Sequence, residues 1–143
     1  MRFARLTPLF FLLWACNTHT ANEPEKTLND SLLEQVLAGH DIAMPKMMKM
    51  ERLQKEAATE LDSLKKAGAA SHKDRIAQLE STTKSLEEAD KAMHDWMDGF
   101  RYDSLKDNPE AREAYLKAQL ESVNKMKDLV VSSLADADTV LAK

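Results

Sequence analysis

The chain has 143 residues, 31% of them charged, and a formal net charge of −4. This length suits a single domain, and three glycines and four prolines are too few for the frequent turns of an all-β fold. The excess of acidic side chains argues against a nucleic-acid partner, because phosphates are bound by basic surfaces.

The first 16 residues have the pattern of an export signal. Arg2 and Arg5 supply positive charge, and residues 6–14 form an apolar run that is too short for a transmembrane helix, which needs about 20 apolar residues. Residues 13–16, Leu-Trp-Ala-Cys, resemble the lipobox of bacterial lipoproteins, although tryptophan is bulkier than usual at its position. The resemblance implies a signal peptide at residues 1–15, cleavage before Cys16 and lipidation of Cys16. The alternative is an ordinary secreted protein with a chance cysteine.

Lipidation would also explain why Cys16 is the only cysteine of the sequence, which excludes a disulfide within the chain. Each acyl CH₂ buried in a membrane contributes about 0.8 kcal/mol, so several acyl chains would anchor the protein stably. Loss of Arg2 and Arg5 with the signal peptide changes the net charge from −4 to −6. By resemblance to enterobacterial lipoproteins, Asn17 favours the outer membrane. The expected location is the cell envelope, with the periplasmic and external faces both left open.

Residues 16–27 hold the candidate lipidated cysteine and a run of polar residues that predicts a flexible tether. The remaining residues, 28–143, show the hydrophobic spacing of long amphipathic helices. The first helix is predicted to start near Asp30, with Ser31 and Glu34 as a capping box, and to end at Gly68. Pro45 predicts a kink in this helix, because proline lacks an N–H and clashes with the preceding turn.

A second helix is predicted from Ser71 to Gly99. A third starts at Asn108, a favourable N-cap, with Pro109 at the first helical position. Because short connections make neighbouring helices antiparallel, the predicted fold is all-α. It is an elongated, coiled-coil-like antiparallel three-helix bundle in up-down-up order.

This arrangement brings two segments rich in histidine and methionine to one level of the bundle. If the turns centre near residues 69–70 and 105, position 40 faces 99 and position 44 faces 95. Position 115 then lies beside positions 94 and 95. The predicted layer contains His40, Met44, Met47, Met93, His94, Trp96, Met97 and Tyr115.

Thioether and imidazole groups are the ligands that Cu(I) prefers, so a Cu(I) or other soft-metal site is one interpretation of this layer. Asp90 and Asp98 lie four residues on either side of His94, and either could accept the second N–H of a metal-bound imidazole. Trp96 and Tyr115 would surround the site. The candidate ligands are His40, Met44, Met47, Met93, His94 and Met97.

Two other interpretations stay open. Methionines at helical spacing most often pack in a core, and a methionine-lined groove can bind a ligand or a partner helix. The sequence has no fixed metal-ligand spacing such as a CxxC pair, and it has no phosphate-binding loop or nucleophile elbow. An enzymatic function is therefore not expected.

The segments HDxAMPKM at 40–47 and AMxDWM at 92–97 resemble small helical lipoproteins of Bacteroidota, some of which carry the loose label "viral A-type inclusion protein" for their coiled-coil similarity. The resemblance covers residues 28–143 and implies a fold and a location, but no activity. The first hypothesis is a membrane-anchored, non-enzymatic structural or interaction protein of the cell envelope, with a protein partner as one option. The second is a periplasmic copper-binding protein.

Overall fold

The computed structural model describes residues 26–142, so the predicted signal peptide, Cys16 and most of the predicted tether lie outside the described residues. Helical 3₁₀ turns at Met44–Lys46 and Ala69–His72 join the first three helices. No strand occurs between residues 26 and 142, which confirms the all-α prediction. The helices are α1 (Leu28–Ala43), α2 (Met47–Gly68), α3 (Lys73–Gly99) and α4 (Pro109–Leu141).

The break between α1 and α2 confirms the predicted interruption at Pro45. The helical hydrogen bonds tighten there into a 3₁₀ turn, in which the N–H of Met47 donates to the carbonyl of Met44. Proline has no N–H to donate, and its ring clashes with the carbonyl four residues before it. The 3₁₀ turn therefore accommodates Pro45 between two helices that otherwise form one continuous helical segment.

The N-terminus of α1 differs from the prediction. Thr27 is the N-cap, and its hydroxyl accepts from the N–H of Asp30 at 3.1 Å while the Asp30 carboxylate accepts from the N–H of Thr27 at 3.2 Å. The predicted capping box of Ser31 and Glu34 is therefore wrong. The pattern of threonine followed three residues later by aspartate provides the same reciprocal hydrogen bonds one turn earlier. At the start of α4, by contrast, Asn108 is the N-cap as predicted.

The first helical segment and α4 run parallel. Near their starts, the side-chain amide of Asn29 donates to the carbonyl of Pro109 at 3.1 Å. Further along both helices, Lys49 forms an ion pair with Asp138. The residue numbers increase together, so these two long helical segments lie side by side in the same direction.

Helix α3 runs antiparallel to α4. The hydroxyl oxygens of Ser85 and Ser133 lie 2.9 Å apart, whereas Phe100 stacks on Tyr115, nearer the start of α4. Together with the parallel pair, this confirms the up-down-up bundle. None of the helices between residues 26 and 142 combines the length and apolar character that crossing a bilayer requires.

One continuous core lies along the axis of the bundle. Its side chains repeat at helical intervals on each helix, as the spacing of apolar residues predicts, and Leu32 is the buried leucine at the start of α1. Burial of each such side chain contributes about 1.5–3 kcal/mol. The largest fully buried apolar side chains are Met50, Leu79, Leu86, Met93, Leu116, Val36, Val123 and Val130.

The connection between α3 and α4 shifts the predicted register. Tyr115 lies nearly two turns into α4, yet its ring is 6.3 Å from that of Phe100, and its hydroxyl accepts from the N–H of Arg101 at 2.7 Å. The start of α4 therefore extends past the end of α3. The prediction that Tyr115 lies beside positions 94 and 95 is wrong, because it assumed a turn symmetric about residue 105.

Candidate functional site

The 3₁₀ turn at Met44–Lys46, the start of α2 and the C-terminal part of α3 together form an open groove of about 370 Å³. Four thioether side chains and one imidazole line it, and two carboxylates and one amide complete its wall. We call this surface the methionine groove. Its residues are Met44, Met47, Met48, Glu51, Gln54, Asp90, His94 and Met97.

The four methionines of the groove differ in depth. Met47 and Met97 are partly buried and pack against the core. Met44 is 44% exposed and Met48 is 84% exposed, so these two stand towards solvent. The groove thus has an apolar floor and a rim of mobile, polarisable side chains.

The imidazole of His94 has a defined orientation. Its Nδ1 lies 2.9 Å from the main-chain carbonyl oxygen of Asp90, one turn earlier on α3. Because a carbonyl can only accept, Nδ1 is the donor in this hydrogen bond, and in the neutral ring the lone pair is then on Nε2. Nε2 is the atom that a metal ion would use.

The two aspartates predicted near His94 have different surroundings. The carboxylate of Asp90 lies 3.8 Å from Nδ1 of His94, so the main-chain carbonyl and not the carboxylate is the closer partner. Asp98 is exposed and does not line the methionine groove; its carbonyl accepts from the guanidinium of Arg101 at 2.6 Å. Of the two candidates, only Asp90 contacts the imidazole, and its closer contact is through its main-chain carbonyl.

Two members of the predicted ligand set lie outside the groove. Met93 is fully buried in the core. The imidazole of His40 packs on the indole of Trp96, with ring centroids 5.6 Å apart, and its Nδ1 lies 3.0 Å from a carboxylate oxygen of Asp41. The structure therefore divides the predicted layer into the methionine groove and a separate aromatic row.

The aromatic row continues away from the groove. Trp96 stacks on Phe100 with centroids 4.9 Å apart, and Phe100 stacks in turn on Tyr115. Stacked pairs of this kind contribute about 0.5–1.5 kcal/mol beyond the burial of their area. Trp96 and Tyr115 thus stabilise the end of α3 and do not line the methionine groove.

The predicted ligand set omitted Met48, Glu51 and Gln54, which line the groove. The spacing of Met44, Met48 and Glu51 is typical of one helix face, so the signal was present in the sequence. The prediction gave weight to the level of each residue along the bundle. A residue lines the groove only if its side chain also lies on the helix face that is turned towards the groove.

Histidine, cysteine and carboxylate side chains do not form a metal-binding cluster in the described part of the chain. Between residues 26 and 142, no set of three or more His, Cys, Asp or Glu side chains is arranged to hold a metal ion. A wider groove of about 590 Å³ lies further along α2. Its two arginines pair with its two glutamates, Arg75 with Glu60 at 2.7 Å and Arg52 with Glu56 at 3.4 Å.

Three shifted pKa values have structural causes away from the methionine groove. A hydrogen bond from Thr27 lowers the pKa of Asp30 at the N-cap of α1. A hydrogen bond from Lys125 lowers the pKa of Glu121, and a hydrogen bond to Glu60 raises the pKa of Arg75. Each belongs to a cap or an ion pair that stabilises the helices.

The fold and the site define a small all-α bundle with an open groove of methionine and histidine side chains. No protein-family profile matches the sequence, no curated protein matches it, and no solved structure matches its fold.

Proposed function

We propose that the chain is a membrane-anchored lipoprotein of the cell envelope that acts as a non-enzymatic structural or interaction module. The observation that carries this proposal is the lipobox-like sequence ending in Cys16, which precedes a helical bundle that begins at Leu28. The resemblance to small helical lipoproteins of Bacteroidota supports the same location. Asn17 favours the outer membrane, on either its periplasmic or its external face.

The spacing between lipid and bundle fits an anchored role. Residues 17–27 separate Cys16 from α1, and eleven residues reach about 40 Å at most. The lipid would therefore hold the bundle near the membrane surface. The net charge of −6 on the processed chain would oppose its direct adsorption to anionic headgroups.

The surface of the bundle also supports a non-enzymatic role. Ion pairs one turn apart cover the exposed helix faces, such as Lys66 with Asp62 at 2.6 Å and Lys117 with Glu113 at 2.6 Å. Exposed pairs of this type contribute about 0.3–0.5 kcal/mol each and are typical of solvated helix surfaces. Charges paired in this way stabilise the helices themselves, which favours a structural module over chemistry at these surfaces.

Labelling with a fatty-acid analogue in a bacterial host tests the proposal. The native chain is expected to incorporate the label and to sediment with membranes, whereas Cys16→Ser abolishes both. Asn22→Ser, a conservative change in the tether, serves as the matched control and leaves both unchanged. A native chain that is released without label, or a label that persists in Cys16→Ser, would overturn the proposal.

A further inference from the structure

The methionine groove contains thioethers whose position core packing does not explain. Methionine in a helical bundle normally fills gaps between helices, as the fully buried Met50 and Met93 do here. Met44 and Met48 instead expose 44% and 84% of their surface. A single exposed apolar side chain needs no explanation, but these two adjoin two further methionines around one groove.

The histidine of the groove is oriented as a metal ligand would be. Nδ1 of His94 donates to the Asp90 carbonyl at 2.9 Å, so Nε2 is the ring nitrogen that can bind a metal ion. A histidine that ligates a metal commonly donates its other N–H to a carbonyl or a carboxylate in this way. The helix therefore orients the ring before any ion binds.

The negative charge of the groove and its soft thioether ligands favour a soft monovalent cation. Its lining carries the carboxylates of Glu51 and Asp90 and no lysine or arginine, so a cation is attracted to it. Thioether sulfur is a poor ligand for Mg²⁺ or Ca²⁺, and it favours Cu(I). The flexible methionine side chains can turn towards an ion without strain on the helices.

We infer that the methionine groove binds one Cu(I) ion through Nε2 of His94 and the thioether sulfurs of Met44, Met47 and Met97. Met48 is 84% exposed at the rim of the groove and is not one of the ligands. His40 and Met93 do not take part, because one packs on Trp96 and the other lies in the core. This inference goes beyond the proposed envelope role and does not depend on the lipid anchor.

Competition titration with Cu(I) tests the site. The full chain carrying Cys16→Ala is titrated without oxygen against a chromogenic Cu(I) chelator, since a free thiolate would itself bind Cu(I). One ion per chain is expected, and Zn²⁺ is not expected to displace it. The absence of binding by the Cys16→Ala chain, or displacement of Cu(I) by equimolar Zn²⁺, would overturn the inference.

Matched variants locate the ligands. His94→Ala, and separately the pair Met44→Leu with Met97→Leu, are expected to weaken Cu(I) binding by about tenfold or more. Met126 is a buried core methionine of α4. His40→Ala and Met126→Leu are expected to leave the affinity unchanged. Far-ultraviolet circular dichroism checks that each variant keeps its helical content.

An affinity that is insensitive to His94→Ala, or that falls equally with His40→Ala, would contradict the site. Because Cys16 is absent from every sample in this series, a failure of lipidation cannot produce either result. The outcome therefore separates the metal site from the proposed membrane anchor.

Discussion

Gly39 of α1 packs directly against the side chain of Val123 of α4. The lack of a side chain on Gly39 lets the two helices approach closely. A Cβ atom built on Gly39 would lie 3.0 Å from Cγ1 and 3.1 Å from Cγ2 of Val123. Val123 is fully buried, and its β-branched side chain has little freedom to turn away. This contact helps to set the register of α1 against α4.

Gly39→Ala is therefore expected to destabilise the bundle. Overpacking of a close contact costs about 1–3 kcal/mol, and alanine recovers only about 1 kcal/mol through its higher helix propensity. The expected net loss is about 1 kcal/mol in the free energy of unfolding, measured with urea. In a Val123→Ala background the same change should be neutral or stabilising. Stabilisation by Gly39→Ala in the native background would contradict the close contact.

Gly68 and Gly99 end two helices and differ in backbone conformation. Gly68 has φ of +122°, a conformation in which other residues are strained. At both glycines a Cβ atom would have open space, with no neighbouring atom within 4 Å. Gly68→Ala should therefore lower the free energy of unfolding by about 1–3 kcal/mol through backbone strain alone. Gly99→Ala is the matched control and should leave stability unchanged or raise it by up to about 1 kcal/mol through helix propensity. Equal effects in urea unfolding would show that the positive φ is not required.

Arg112 holds the connection between α3 and α4. Its buried guanidinium donates to the carbonyls of Ser104 at 2.6 Å and Tyr102 at 3.2 Å. Lysine cannot reproduce this planar fork, so Arg112→Lys should cost about 1–3 kcal/mol. Hydrogen exchange of residues 100–108 should accelerate in Arg112→Lys and not in the control Arg52→Lys, which changes an exposed ion pair. Unchanged exchange in Arg112→Lys would contradict this role.

The N-cap of α1 predicts a specific dependence of stability on pH. Hydrogen bonds from Thr27 lower the pKa of Asp30 below its ordinary 3.8 in the folded chain. The folded state then binds fewer protons than the unfolded state, so this stabilisation is present above the ordinary pKa and is lost as pH falls through the lowered one.

Asp30→Asn should therefore flatten the fall in stability in the acid range. Urea unfolding between about pH 7 and about pH 2 measures this slope. Thr27→Ala should move the titration of the Asp30 carboxyl, followed by NMR, back towards its ordinary value. A slope in Asp30→Asn that matches the native chain would contradict the assignment of the cap.

Much of the fold follows from patterns that are local in sequence. The apolar spacing predicts the three long helical segments, Pro45 predicts the break, and Asn108 predicts the start of α4. The short turn after Gly68 sets the pairing of α2 with α3, and for this reason Met44, Met47, His94 and Met97 were expected at one level and do share the groove.

The remaining features depend on contacts that no local pattern contains. The register of α4 depends on a connection of residues 100–108, in which Leu105 has φ of 59° and Arg112 binds two carbonyls. Met93 and His94 are adjacent in sequence, but one side chain enters the core and the other faces the groove. The level of a residue along α2 and α3 was therefore predictable, whereas the register of α4 and the division of the layer between core and groove were not.

The most direct test of the central claim is X-ray absorption at the copper edge, on the Cu(I)-loaded chain with Cys16→Ala. The claim is that the methionine groove, and not the whole His/Met layer, holds the ion. We predict a shell dominated by sulfur with a single imidazole nitrogen, which is lost in His94→Ala and kept in His40→Ala. A shell of nitrogen and oxygen alone, or an imidazole signal lost in His40→Ala, would contradict the claim.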